Sequence, residues 1–113
     1  MSEFFLSSAE YSVEQYRLNM APHACRITSL RWCAGKNLMV YFTWGDRTRR
    51  VNIATECRQK FGKLTEKVRI AIRRAMPEYV TISTRISQFE DKKRYLHSIN
   101  PEELAAWLDK VEI

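Results

Sequence analysis

From Arg26 onward apolar and polar residues alternate with a period of two, the pattern of strands with one buried face. "RITSLRWC" predicts a first strand, "AGKN" a turn, and "LMVYFTW" a second strand rich in aromatic and β-branched residues. In that strand Leu38, Val40, Phe42 and Trp44 share one face, and Met39, Tyr41 and Thr43 the other. "GDRTR" supplies turn chemistry and "RVNIA" a third strand, completing an antiparallel meander. The period then lengthens. Cys57, Phe61, Leu64, Val68, Ala71 and Ala75 recur every three or four residues, which predicts one long helix from Thr55 to Met76, ended by Pro77. Gly62 costs this helix up to ~1 kcal/mol relative to Ala without abolishing it. "EYVTISTRISQF" alternates again as a fourth strand, "EDKKR" reads as a charged turn and "YLHSI" as a short fifth strand. Asn100 as cap, Pro101 at the first helical position, and Glu102 and Glu103 at the positive end of the dipole predict a C-terminal helix. Its apolar face is Leu104, Trp107, Leu108 and Val111.

The expected fold class is therefore α+β: an antiparallel sheet of four or five strands, a β-meander, packed by one long central helix and a C-terminal helix. Residues 1–24 read as an N-terminal extension, with a short helix from Val13 to about Met20 on the capping-box spacing of Ser12 and Gln15. Residues 25–113 read as a single α+β domain. "RITSLRW", the hairpin "LMVYFTWGDRTRRVNI", the strand "YVTIST" and the ending "INPEELAAWL" resemble the small bacterial domain of unknown function 2442, from Arg26 to about Leu108. The resemblance implies a small non-enzymatic module and leaves its activity open. The helix here is longer and more basic than that family's pattern, and the first 24 residues lie outside it.

With 113 residues, 45% hydrophobic and 28% charged, the composition is that of a folded domain able to bury a core without disulfides. Apolar runs such as Leu38 to Phe42 are far short of the roughly 20 residues of a membrane-spanning helix. Glu3 stands where a signal peptide carries positive charge, so a cytoplasmic protein is expected. Cys25, Cys33 and Cys57 form no CxxC pair and read as reduced, mostly buried thiols. The net charge of +6 is uneven: residues 25–76 hold thirteen Lys or Arg against three acids, whereas both flanks are net acidic. Such asymmetry bears on partners, not on the fold.

Candidate chemistry is sparse. His23, Cys25 and Cys33, with Cys57 or His97 far along the chain, lack the paired spacings of a structural zinc site, so no metal or cofactor is expected. No GxSxG, HExxH, GxxxxGK[ST] or GxGxxG motif occurs, and His97 near Glu90 or Asp91 reads as a strand-edge histidine before a general base. No enzyme is expected. On a continuous helix, rotations of about 100° per residue place Lys60, Lys63, Lys67 and Arg74 on one flank of the buried stripe and Arg58, Arg69 and Arg73 on the other, with Glu66 outward. The hairpin turn adds Arg47, Arg49 and Arg50 beside Tyr41 and Trp44. The expected function is a non-catalytic nucleic-acid-binding or accessory protein, in which Lys60, Lys63, Lys67, Arg74, Arg47, Arg49 and Arg50 capture phosphates. The alternative is a protein-interaction module, an inhibitor or antitoxin-like partner, docking Ile70, Arg69 and Arg73 on an acidic protein.

Overall fold

The computed structural model describes residues 22–113. The short helix expected over Val13 to Met20 lies outside them. Five strands appear in the order β1 (His23–Cys33), β2 (Asn37–Trp44), β3 (Arg47–Asn52), β4 (Tyr79–Phe89) and β5 (Lys92–Ile99). Three short helices complete the chain: α1 (Ala54–Phe61), α2 (Glu66–Arg74) and α3 (Pro101–Asp109).

The period-two pattern buries Leu38, Val40 and Phe42 on β2 and Val80, Ile82, Thr84 and Ile86 on β4. The strands form one antiparallel sheet in the order β3-β2-β1-β4-β5. β1 begins three residues before the predicted Arg26 and serves two partners. Its start pairs with β4, from His23 opposite Ile82 to Arg26 opposite Tyr79, and the rest pairs with β2, from Ile27 opposite Phe42 to Cys33 opposite Asn37. The register shifts between Ile27 and Ser29. A bulge of this kind bends a strand and sharpens its twist. The sheet consequently curls until β5 lies against the β2–β3 hairpin, with His97 edge-on to Phe42 at 5.3 Å and to Trp44 at 4.9 Å, and Tyr95 at 5.1 Å from Trp44. Stepping from Trp44 back to Phe42 moves from Tyr95 on to His97, so β5 runs antiparallel to β2 and hence parallel to β3. The result is a barrel closed except along the β3–β5 seam, where the two end strands meet without pairing.

Two expectations are corrected here. The sheet is not an open meander packed by one long central helix; it nearly closes into a barrel. The predicted Thr55 to Met76 helix is two helices, because Gly62 takes φ +75 and ψ −127, outside helical space, and its N–H closes α1 on the Arg58 carbonyl. Thr65 then caps a new helix, its hydroxyl accepting from the Val68 N–H at 3.3 Å. Ile72, four residues after Val68 but absent from the predicted stripe, is fully buried beside Val68 and Ala71 and widens the buried face of α2. A continuous helix requires Gly62→Ala to stabilise by up to ~1 kcal/mol. The observed backbone predicts the opposite sign. No atom lies within 4 Å of an added Cβ, so the loss is conformational, roughly 1–3 kcal/mol, and urea denaturation of the variant checks it.

The C-terminal helix forms as its caps dictate. Asn100 accepts from the Glu103 N–H at 2.9 Å, and Leu104, Trp107 and Leu108 are buried. The Glu103 carboxylate in turn accepts from the Thr81 N–H at 2.8 Å, fastening α3 to β4. Trp107 Nε1 donates to the Ile72 carbonyl at 2.9 Å, fastening α3 to α2. Among the described residues no helix is long and apolar enough to cross a membrane.

Candidate nucleic-acid interface

Charge divides by layer. None of the five strands contains an Asp or Glu, yet β1 carries Arg26 and Arg31, β3 carries Arg47, Arg49 and Arg50, β4 carries Arg85, and β5 carries Lys92, Lys93 and Arg94. All are exposed except half-buried Arg49. The helices, by contrast, mix signs: Glu56 and Glu66 accompany the cations of α1 and α2, and α3 holds Glu102, Glu103 and Asp109 with no cation.

Turn lengths produce this surface. The "GDRTR" and "EDKKR" stretches were expected as turns, but each hairpin turns on two residues, Gly45-Asp46 and Glu90-Asp91. Gly45 and Glu90 take the positive φ these tight turns demand, +65 and +58. The acids stay in the turns and the cations that follow enter strands. Alternation then sorts them. Arg50 lies opposite Tyr41 on the outer face, whereas Arg47 lies opposite Trp44 and Arg49 opposite Phe42 on the inward-facing side near the rim.

Two aromatic clusters result. On the outer face Arg31 sits 5.5 Å over the Tyr41 ring and Arg50 hydrogen-bonds the same side chain, which pushes the Arg50 pKa up further. At the rim, Arg49 lies 5.8 Å from the Trp44 ring. A depression of about 490 Å³ opens there, lined by Trp44, Gly45, Asp46, Arg47, Arg49 and Tyr95. Behind it His97 Nδ1 meets the Thr84 hydroxyl at 2.9 Å, and Nε2 is buried without a partner. Burial lowers the His97 pKa, and the positive charge of Arg49 lowers it again, with His23 adding to this. His97 is six ladder pairs from the Glu90-Asp91 turn, so the acid–base pairing weighed from sequence does not assemble.

The helix cations are largely engaged elsewhere. Lys60 is ion-paired with Asp109 at 2.5 Å, and Arg58 donates to the Lys36 carbonyl. Arg69 lies 4.5 Å over Trp32, and Arg73 donates to the Leu30 carbonyl at 2.8 Å. With α1 and α2 separated, Lys60 and Lys63 no longer continue the line of Lys67 and Arg74. Those two border a different depression with Ile70, Glu66, Glu112 and Ile113. The Arg58 contact places α1 beside the β1–β2 turn, at the opposite end of β2 from Gly45. The strand's eight residues, at roughly 3.3 Å each, put about 25 Å between the two ends. The hairpin cations and the helix cations are thus not one cluster. Sequence reasoning did not include Tyr95, Arg85 or the Lys92–Arg94 run in a candidate interface, reading the run as part of a charged turn; the signal was basic residues running without a break into an alternating strand.

Cys25 and Cys57 are buried and Cys33 half-buried, all as free thiols. Burial pushes the Cys57 pKa up to about 12, and it raises that of Cys25. Neither thiol is poised as a nucleophile. Among the described residues no three His, Cys, Asp or Glu side chains converge as metal ligands. In comparisons with known proteins no family model, curated protein or solved structure matches this chain.

Proposed function

We propose that this protein is a non-catalytic nucleic-acid-binding module that holds phosphates with the cations of its strands. The observation that carries this reading is the single sign of charge on the barrel: cations on four strands and no carboxylate on any. A competing physical account is that Arg and Lys on β3 and β5 merely blunt two sheet edges against pairing with other chains. Edge protection is served as well by Glu, or by alternating signs, which would avoid repulsion between neighbours. It also gives no reason for Arg31 on β1 or Arg85 on β4, strands that lie inside the sheet and not at its edges. Phosphates neutralise a one-signed surface and release counterions.

Strand order lends support by analogy. A five-stranded, partly open barrel with a helical crossover between the third and fourth strands has the arrangement of OB-folds, which recur as oligonucleotide and oligosaccharide binders. Fold alone does not assign function, so the weight rests on the charge.

The test is a titration with a labelled single-stranded oligonucleotide across a salt series. Contact with about six phosphates requires log affinity to fall against log salt with a slope near −4. Absence of binding at micromolar protein and low salt, or a flat salt response, would overturn the reading. Poly-glutamate competing as well as the oligonucleotide would favour an acidic protein partner instead. Ile70, 39% exposed between Lys67 and Arg74, is the observation on that side.

A further inference from the structure

We infer that the open β3–β5 seam is a base-stacking subsite that makes the protein selective for single-stranded nucleic acid over duplex; this rests on the nucleic-acid reading above. The seam is where the barrel fails to close, and its depression, about 490 Å³, falls within the usual size of small-molecule pockets. Its apolar walls are Trp44 and Tyr95, and its cations are Arg47 and Arg49. Stacking a base and gripping its phosphate requires this combination, and unpaired bases alone offer a free face.

Among the described residues, the other aromatic rings that lie near cations are less available. Tyr41 is covered by Arg31 and bonded by Arg50, and Trp32 lies beneath Arg69. Tyr79 is exposed, but Arg26 opposite it is ion-paired with Glu78 at 3.3 Å. Tyr95, in contrast, is 39% exposed beside two arginines that form no ion pair with a carboxylate among the described residues. The ring centroids of Trp44 and Tyr95 are 5.1 Å apart and tilted by 55°, too close to admit a base between them. The base therefore lies on the outer surface of the pair. Asp46, the one acid in the lining, sits in the turn and fixes the orientation: phosphate toward Arg47 and Arg49, an amino-bearing base edge toward the carboxylate.

The full chain is titrated at one low salt concentration with a labelled oligonucleotide of about 15 nucleotides, single-stranded and annealed to its complement. Single strand is expected to bind at least roughly 10-fold tighter than duplex. Tyr95→Ala is expected to weaken single-strand binding by roughly 5- to 150-fold, the range for one lost stacking contact, while Tyr95→Phe binds as the parent does and the salt slope is unchanged in both. A melting curve confirms that each variant is folded. Equal affinity for the two forms, or a Tyr95→Ala variant that binds like the parent, would overturn the subsite and leave phosphate capture standing. No binding to either form removes both.

Discussion

Replacing Arg47 by Glu, Arg49 by Gln and Arg50 by Glu together is expected to lower oligonucleotide affinity by at least about 100-fold, whereas Lys63→Glu with Lys67→Glu changes it by less than about threefold. A hydrogen bond to a charged group contributes about 1.5–3 kcal/mol, so losing even two phosphate contacts crosses the first threshold. The salt slope should flatten as well, by about 0.7 for each phosphate released. Gln is chosen at position 49 because that side chain is half-buried against Trp44, where a carboxylate would be desolvated. The contrast between the two sets tests placement. Had one straight helix carried the cations past the hairpin, both sets would face the same polyanion and both reversals would hurt. With Lys63 in the link between α1 and α2, and Lys67 beside Glu66 and Glu112, the second pair borders a surface of mixed sign. Fluorescence anisotropy at fixed salt reads both numbers. A large loss on the helix side with an intact hairpin response would return the interface to the helices.

Much of the fold was legible because its signals are local. Alternation along Leu38–Trp44 grouped Leu38, Val40 and Phe42, all buried, on one face, and the Asn100, Pro101 and Glu103 pattern placed α3. The features that matter most for a binding surface depend on non-local geometry. The curl of the sheet arises from one irregularity in β1 between Ile27 and Ser29, which a period-two reading smooths over. At Gly62 the sequence offers a continuous 3.6-residue stripe, and a helix can absorb one glycine. The backbone settles the matter: Gly62 leaves helical space and Thr65 caps a new helix, neither of which a stripe of apolar spacings registers. The cation map failed at boundaries. Two-residue turns retain Asp46, Glu90 and Asp91 and pass Arg47 and Lys92 into strands, and this shift of a few residues changed a turn cluster into a barrel surface.

Trp107→Ala is expected to cost about 3–5 kcal/mol of stability, and Trp107→Phe about 1–2 kcal/mol. Trp107 is 2% exposed, so Ala leaves a large cavity between α3 and α2; Phe restores most of the buried area and removes only the indole N–H bond to the Ile72 carbonyl. Domains of this size hold roughly 5–15 kcal/mol in total, so the Ala variant forfeits a large share, and at about 4 °C per kcal/mol its melting temperature should drop by about 12–20 °C. Circular-dichroism melts and urea midpoints measure both variants. A loss below about 1 kcal/mol for Ala would mean that α3 is not part of the cooperative core. The consequence extends to the seam. α3 is bound to α2 through Trp107 and to β4 through Glu103 and Asn100, and β5 reaches the Trp44 rim as the hairpin partner of that same β4. Loosening the clasp at Trp107 should therefore also loosen the approach of Tyr95 to Trp44, although Tyr95, opposite Ile86, lies four ladder pairs along the β4–β5 hairpin from Ile99. In Trp107→Phe, where the clasp loses a hydrogen bond but keeps its packing, single-strand binding should persist at temperatures below the melt.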